Sequence, residues 1–298
     1  MDTTKRFFNN FWVKKYQLKE IFFKGKIEQK LKFYLKNQKN IQYDLIKKNF
    51  LLRFDSKYPL AYVLKKKGKI VGFLGTLISK RLVNNKFYLF CNIHSWLVDT
   101  EHRIVSQLLF KKIINKCVIT VLSSRIGLTK TFQKMGFKVI NMKYRVIFLL
   151  NPIFFIKRKN IVAINKNKFS ITKMINSNNL KIYNDHSQAR YIKIVFYNLN
   201  KKSEKSFVIG EILTKKKIFK IFNFVYIENE RFVRNNWKSI QTKILKEFKI
   251  LFCGQYFISK YKTVIPEISF FSKDIKKEIY IKNMPAGYKF NTLYSEFE

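Results

Sequence analysis

The chain has 298 residues, of which 47% are hydrophobic, so it can bury a sizeable core, and its composition excludes a disordered chain. Only 9 Gly and 4 Pro exclude a collagen-like or loop-dominated structure. The formal net charge is +43, from 61 Lys and Arg against 18 Asp and Glu. A charge of this size attracts nucleic acid without specificity. Because the lysines are spread along the whole chain and no nucleic-acid-binding motif accompanies them, we expect no specific nucleic-acid partner.

The first half of the chain predicts strands and helices in a defined order. The runs 61–64 and 70–78 are rich in β-forming residues and flank Gly68-Lys69, which predicts a hairpin. Asp99 opens a stretch in which apolar residues recur at helical spacing. In chain order, the predicted elements of this half are helix 26–37, a helix and loop over 43–54, strand 61–64, strand 70–78, strand 87–98, helix 99–114, strand 118–122, helix 128–135 and strand 138–150.

Two polar residues, Asn92 and His94, lie two positions apart and therefore on one face of the predicted strand 87–98. Polar groups inside a sheet need hydrogen-bond partners or water. Histidine has an unperturbed pKa close to neutrality, so His94 is the stronger candidate for a general base. A purely structural histidine is the alternative that the pattern leaves open.

Three segments of this half resemble the GNAT (Gcn5-related) N-acyltransferase family. Residues 69–73 (KIVGF) resemble its central GkIVGf strand, and residues 131–137 (TFQKMGF) resemble its lYeklGF ending. The run 96–99 (WLVD), followed by Arg103, resembles its acyl-CoA strand and the start of its pyrophosphate loop. The resemblance implies the α/β (α+β) GNAT acyl-CoA N-acyltransferase fold, a mixed sheet flanked by helices.

The same resemblance implies acetyl-CoA or another acyl-CoA as co-substrate, and no metal. Its pyrophosphate would meet backbone N–H groups at a helix N-terminus, and its thioester oxygen a backbone N–H near Leu97 or Val98. Ser106 and Leu108 stand where the family has two glycines of the phosphate loop, so this loop departs from the pattern. The cofactor-binding residues implied are Trp96, Leu97, Val98, Arg103, Ile104, Val105 and Ser106.

Acyl transfer from a thioester to an amine requires a base for the ammonium proton and an acid for the leaving thiolate. The catalytic candidates are His94, Asn92 and Glu101, with Asp99 as a further acidic group. His102, in the predicted turn, is expected to meet phosphate or solvent. Phe132 occupies the position where the family commonly has the tyrosine acid, and Tyr88 and Tyr144 are substitutes without positional support.

The second half of the chain repeats the predicted order strand, strand, long strand, helix, strand, so we expect a second, degenerate GNAT-like half. Its strands are predicted at 191–196, 207–213, 218–226 and 250–258, and its helix at 235–248. The domains predicted are 1–150, a connector over 151–178, and 179–298. The run 291–296 (NTLYSE) resembles the tail of GNAT-type proteins among polysaccharide-assembly enzymes.

No signal peptide or membrane-spanning helix is expected, because no run of about 18 apolar residues occurs. Cys91, Cys117 and Cys253 have no CxxC or metal-ligand spacing, which predicts small buried side chains in a reducing compartment. We therefore expect a cytoplasmic protein, of unknown oligomeric state.

The favoured interpretation is an N-acyltransferase that acts on an amine, with an amino sugar for a surface polysaccharide as one candidate acceptor. The altered phosphate loop leaves open a GNAT-like binding module without CoA-dependent catalysis. A basic nucleic-acid-binding protein is the third interpretation.

Overall fold

The computed structural model describes residues 15–22, 28–38, 43–51, 57–122, 127–148, 162–187, 191–215, 219–258, 273–286 and 288. These residues form two compact units. The described residues up to 140, together with 278–286 and 288, make up the first unit, and those from 141 to 277 the second. None of the helices in these ranges is long and apolar enough to cross a membrane.

Strands and helices alternate along the chain in groups. The strands are β1 (Tyr16–Ile21), β2 (Ala61–Lys66), β3 (Lys69–Val83), β4 (Lys86–Val98), β5 (Val118–Val121), β6 (Lys138–Phe148), β7 (Val162–Asn165), β8 (Tyr191–Asn198), β9 (Lys205–Lys215), β10 (Phe219–Ile227), β11 (Phe252–Ile258) and β12 (Lys273–Lys282). The helices are α1 (Gln29–Lys36), α2 (Tyr43–Leu51), a 3-10 helix (Thr100–Phe110), α3 (Thr129–Lys134), α4 (Lys168–Met174), α5 (Ser177–Asp185), α6 (Glu230–Asn235) and α7 (Trp237–Phe248).

The first unit is a mixed sheet in the order β1-β2-β3-β4-β5-β12. Two two-residue turns connect its central strands, and their residues have positive φ: Lys67 (47°) and Gly68 (78°), then Asn84 (48°) and Asn85 (61°). Turns of this kind match the right-handed twist of a hairpin, which is why Gly and Asn occur there. The predicted hairpin around Gly68 is confirmed.

All neighbouring strands of this sheet are antiparallel except β4 and β5, which are parallel. The 3-10 helix and α3 contribute to the core on one face of the sheet, and α1 and α2 cover the other. The β3–β4 register shifts by one residue at His94, because Gly75 pairs with Ser95 while Thr76 pairs with Ile93. This is the geometry of a β-bulge, which frequently re-aims a side chain next to a functional site.

The second unit has the strand order β7-β8-β9-β10-β11-β6. The fourth and fifth strands in this sheet order, β10 and β11, are again parallel. A one-residue register shift again falls on the fourth strand, at Val225, because Gly210 pairs with Phe224 and Ile209 with Tyr226. Helix α7 packs on this sheet through Trp237, Ile240, Gln241 and Ile244, at helical spacing.

The predicted α/β architecture with mixed sheets and flanking helices is confirmed, but several local predictions are wrong. The predicted helix 99–114 is a 3-10 helix over Thr100–Phe110. The predicted helix 235–248 is confirmed as α7, and α6, which precedes it, was not predicted. Strands β1, β7 and β12 were not predicted, and the segment expected to be a connector contains β7 and α4. The predicted tail 291–296 lies outside the described residues.

Candidate active site

The parallel strands β4 and β5 separate within the first unit. Their pairing begins at Phe90 and Val118 and ends at Ile93 and Val121. Strand β5 ends at Val121, whereas β4 continues to Val98. The last residues of β4 therefore pair with β3 on one side only, among the residues that the structure describes.

Main-chain donors on this part of β4 face the open side. Asp99 N–H donates to the Val71 carbonyl on β3 at 3.0 Å. Because N–H groups alternate in direction along a strand, Leu97 N–H also points to β3, whereas those of Trp96 and Val98 point away from it. The predicted thioester contact is therefore better placed at Val98 than at Leu97.

His94 is the extra residue of the register shift, and its ring packs into the face that α1 and α2 cover. A Cβ at Gly75 would overlap the imidazole, so glycine is needed opposite this ring. The ring lies edge-on to Phe50, with centroids 6.3 Å apart. Nδ1 is 3.1 Å from Ser95 Oγ, and Nε2 is buried without a hydrogen-bond partner among the described residues.

Burial lowers the pKa of His94 to about 3. The imidazole is therefore neutral at neutral pH, and in the tautomer whose Nδ1–H donates to Ser95 Oγ, Nε2 can accept a hydrogen bond. A general base works best when its pKa lies near the working pH, so His94 in this environment is a weak proton acceptor.

Asn92 ties β4 to β5 just before the two strands separate. Its side chain is 1% exposed, and Nδ2 donates to the Thr120 carbonyl at 3.3 Å and to Thr120 Oγ1 at 3.1 Å. An amide is not a base at neutral pH. Asn92 therefore supports the site by holding the strands in register.

The acidic candidates lie where β4 ends. Asp99 Oδ1 accepts hydrogen bonds from the Tyr34 hydroxyl at 3.1 Å and from Gln38 Nε2 at 3.3 Å, which anchors α1 to this strand end. The Glu101 side chain is 79% exposed and lies 3.6 Å from Nε2 of His102. These carboxylates have different surroundings, one held by α1 and one open to solvent.

The expectation that His102 meets phosphate or solvent is wrong. His102 is only 7% exposed, and its Nδ1 lies 3.2 Å from the Tyr16 hydroxyl. It belongs to the buried row His102, Val105 and Leu108, whose three-residue spacing matches the 3.0 residues per turn of a 3-10 helix. The sequence alone did not distinguish this spacing from that of an α-helix.

The other predicted cofactor residues divide between the two faces of this helix. Arg103 and Ile104 are exposed, Ser106 is half-buried, and the Val105 side chain lies in the core. Leu108, which replaces a family glycine, is also a core residue. Among the predicted cofactor residues, Arg103 therefore supplies a positive charge that faces solvent in the first turns of the helix after β4.

Aromatic rings line the side of the sheet on which Trp96 lies. Its ring centroid is 5.0 Å from that of Phe110 and 5.6 Å from that of Phe132. Trp96 Nε1 is buried and has no hydrogen-bond partner among the described residues. Because a buried indole N–H usually has a hydrogen-bond partner, this donor is a candidate contact for a ligand beside β4.

Sequence reasoning missed Tyr280 on β12. Its ring stacks on Phe132, which occupies the family's tyrosine position, with centroids 4.6 Å apart and planes 26° apart. The Tyr280 hydroxyl is 2.8 Å from Thr129 Oγ1 and donates to Glu278 Oε2 at 3.3 Å. No sequence signal pointed to this residue, since about 150 positions separate it from the rest of the site.

The fold is that of the GCN5-related N-acetyltransferases. The chain is similar to such a protein from Anabaena variabilis, with a TM-score of 0.54 and 10% identity over 89% of this chain and 72% of that one. A probable N-acyltransferase from Enterococcus faecalis gives a TM-score of 0.55 and 10% identity, over 89% of this chain and 71% of that one.

A fungal multi-domain beta-N-acetylglucosaminidase contains a GCN5-related glucosamine N-acetyltransferase region with the same fold. Its TM-score is 0.54 at 13% identity, and the match covers 90% of this chain and 38% of that one. No protein-family model matches the sequence, and no curated protein is similar to it at a significant level. At these identities the similarity defines the fold, and activity has to be argued from the site.

Proposed function

We propose that this protein is an N-acyltransferase that moves an acyl group from acyl-CoA to an amine. The observation that carries the proposal is the separation of β4 from β5 after Ile93. It leaves the N–H groups of Trp96 and Val98 on an open strand edge, and a solvent-facing arginine follows within five residues.

The residues on this edge fit an acyl-CoA. An extended amide-containing arm can pair with β4 as an added strand, and the Trp96 indole offers a further buried donor. Arg103 would neutralise phosphate charge. The two side chains that replace the family glycines leave the exposed face to Arg103 and Ile104, because Leu108 turns into the core and Ser106 is small and half-buried.

The acyl-CoA would supply an activated thioester, whose C–S bond breaks as the C–N bond forms, while the amine loses a proton and the thiolate gains one. Val98 N–H would polarise the thioester oxygen. His94, neutral and with Nε2 free to accept, would hold the attacking amine through its N–H, and water would take up the proton. His94 is then a positioning residue rather than the base that the sequence suggested.

Tyr280 is our candidate for the acid. Its hydroxyl shares a hydrogen-bond group with Thr129 and Glu278 beside Phe132, so a proton given to the thiolate could be replaced through them.

We further infer that the two units are tandem GNAT-like repeats. In each unit the fourth and fifth strands are parallel and the fourth carries a register shift, with an asparagine, Asn92 or Asn223, two residues before the extra residue. Exposed arginines, Arg231 and Arg234, also follow β10 in the second unit, but the three segments that resemble GNAT motifs, 69–73, 96–99 and 131–137, all lie in the first unit. The transferase site is assigned to the first unit.

For the acceptor, we propose an amino sugar, as in the synthesis of a surface polysaccharide. The fungal region with this fold is described as a glucosamine N-acetyltransferase, so the fold accommodates an amino-sugar acceptor. The runner-up is a GNAT-like binding module, which the glycine-free turn at Ser106 and Leu108 favours.

Calorimetric titration of the full chain with acetyl-CoA separates the two functions. The transferase predicts saturable binding, and Arg103→Glu should weaken it about tenfold or more, because a phosphate contact becomes repulsive. Arg231→Glu, the same charge change on an exposed residue of α6, is the matched control and should bind as the wild type does. A wild type that binds no acyl-CoA would leave the binding module as the better assignment.

Tyr280→Phe tests the proposed acid. It removes only the hydroxyl and keeps the stacking on Phe132, so acetyl-CoA affinity should stay unchanged while kcat for glucosamine acetylation falls about 100-fold. The same assay on Tyr197→Phe, a half-buried tyrosine of β8, should give wild-type turnover. An unchanged kcat in Tyr280→Phe would mean that the thiolate leaves without help from this hydroxyl.

A further inference from the structure

The hairpin of β3 and β4 extends beyond its neighbours in the first sheet. Strand β2 pairs with β3 only as far as Gly75, and β5 pairs with β4 only from Phe90 onward. Residues 80–83 and 86–89 therefore pair only with each other, among the residues that the structure describes, and a tight turn joins them. We call residues 80–89 the hairpin arm.

One face of the hairpin arm is covered by residues from the end of the chain. Val83 is 7% exposed and belongs to a buried cluster against which Tyr288 packs. Arg81 Nη1 donates to the Tyr288 hydroxyl at 2.7 Å, and Asn84 Nδ2 donates to the Ala286 carbonyl at 3.1 Å. These contacts hold the hairpin arm in place from this side.

The opposite face of the hairpin arm is open and apolar. Leu82 and Phe87 are cross-strand partners, so both side chains project from this face, and they are 37% and 59% exposed. Lys80 shares the face, because it lies two residues before Leu82, and its Nζ is 4.4 Å from the centroid of the Phe87 ring. The open face therefore combines two adjacent apolar side chains with an ammonium group.

The hairpin arm and the strands that support it are uniformly basic. The run 56–98 contains eight Lys or Arg residues and no Asp or Glu. Lys80 and Lys86 lie within two residues of the apolar pair, both are exposed, and neither forms an ion pair within the described part of the chain. A partner that covers Leu82 and Phe87 should therefore be negatively charged.

An anionic bilayer fits this surface better than a protein does. Two exposed apolar side chains are too few for a stable protein interface, which buries about 800 Å² on each partner. They are enough to enter the boundary between lipid headgroups and acyl chains, where neighbouring lysines meet anionic headgroups. A second copy of this chain, which also carries a charge of +43, would be repelled.

We propose that the hairpin arm docks this protein on a membrane surface that contains anionic lipids. Leu82 and Phe87 enter the boundary between headgroups and acyl chains, and Lys80 and Lys86 stay among the headgroups. The hairpin arm lies on the bilayer and does not cross it. This docking goes beyond the proposed acyl transfer and does not depend on acyl-CoA binding.

Cosedimentation of the full chain with lipid vesicles tests the docking. Vesicles of phosphatidylcholine with about 30% phosphatidylglycerol should retain the protein, and vesicles of phosphatidylcholine alone should not. The double substitution Leu82→Ser and Phe87→Ser keeps every charge but removes the apolar pair, and should weaken binding to the anionic vesicles about tenfold or more. Both side chains are exposed, so the double variant should fold as the wild type does, which circular dichroism checks.

Phe169→Ser is the matched control. Phe169 is 68% exposed on α4 in the second unit, and Lys173 Nζ lies 4.0 Å from its ring centroid, so this pair reproduces Phe87 and Lys80 away from the hairpin arm. Its affinity for the anionic vesicles should equal that of the wild type. Wild-type affinity in the double variant, an equal loss in Phe169→Ser, or equal retention by both kinds of vesicle would overturn the proposal.

Hydrogen exchange of the wild type locates the contact without any variant. Anionic vesicles should slow the exchange of amides in residues 80–89, and protection that spares these residues would refute the docking. A single-stranded DNA oligonucleotide is the competing polyanion. If the double variant lost affinity for the oligonucleotide and kept its affinity for the vesicles, the hairpin arm would bind nucleic acid and the proposal would be wrong.

Discussion

The imidazole of His94 combines deep burial with an unsatisfied ring nitrogen. Burial lowers its pKa from 6.5 to about 3, so between these two values an unfolded chain binds a proton that the folded chain excludes. Stability from this residue is complete above pH 6.5 and is lost as the pH falls toward 3. The slope is about 1.4 kcal/mol per pH unit.

This slope is testable by urea unfolding at pH 6, 5 and 4 with wild type and His94→Asn. The wild-type free energy of unfolding should fall faster than that of the variant, by about 1.4 kcal/mol for each pH unit. Subtracting one protein from the other removes the titration of the remaining groups. Parallel curves would show that the ring is solvated or paired in solution.

The three cysteines behave as the sequence predicted. Cys91, Cys117 and Cys253 are buried and unbridged. Burial raises the pKa of Cys117 to about 11, and raises those of Cys91 and Cys253 well above their ordinary value. Thiols that resist ionisation are poor nucleophiles, so none of the three is a candidate for acyl-enzyme chemistry.

At the scale of the elements, the register shift in β4 depends on a contact across two strands. Gly75 on β3 has no side chain, and the His94 ring occupies the place that a Cβ would take. The glycine and the histidine of the bulge are therefore in direct contact. The effect of a substitution at one position on the free energy of unfolding should depend on the residue at the other.

A double-mutant cycle measures this dependence. Gly75→Ala should destabilise the wild type by about 2 kcal/mol or more, because the added methyl displaces a buried ring between strands. The same substitution in a His94→Ala background should cost much less, since the ring is gone. Chemical denaturation of the four proteins gives the coupling energy, and strictly additive effects would contradict the packing described here.

The 3-10 helix after β4 decides which of the predicted cofactor residues face solvent. A helix directly after β4 was expected, and one is present. However, with three residues per turn, the 3-10 helix places His102, Val105 and Leu108 in the core and leaves Arg103 exposed. Which of several closely spaced residues faces solvent depends on the helix type, and local sequence rarely decides this.

At the scale of the whole molecule, residues 278–286 and 288 complete the first unit, whose other described residues lie before 141. Strand β12 pairs with β5 through 280–282. Beyond it, Asn283 Nδ2 donates to the carbonyls of Ile114 and Cys117 at 2.8 and 2.9 Å. Lys282 Nζ donates to the Met135 carbonyl at 2.8 Å. These contacts satisfy carbonyl groups in the turns that follow the 3-10 helix and at the end of α3.

Asn283→Ala should therefore destabilise the first unit, although most residues of that unit lie more than 140 positions earlier in the sequence. Two hydrogen bonds are lost, and alanine is strained at the positive φ of 60°. Together these should lower the free energy of unfolding by about 2–3 kcal/mol. Urea denaturation measures the loss. Asn178→Ala, on the exposed surface of α5, should change it by less than about 0.5 kcal/mol.

The sequence by itself determined the alternation of strands and helices, the hairpin turn at Gly68 and the candidate residues on β4. Each of these follows from local properties, such as side-chain period, a glycine at a tight turn, or residue type. Only the tertiary structure placed β12 beside β5, Tyr280 on Phe132 and Tyr288 on one face of the hairpin arm. It also buried His94 enough to keep its ring neutral. These features depend on residues far apart in the chain and on the water that packing excludes, and neither is encoded in a local pattern.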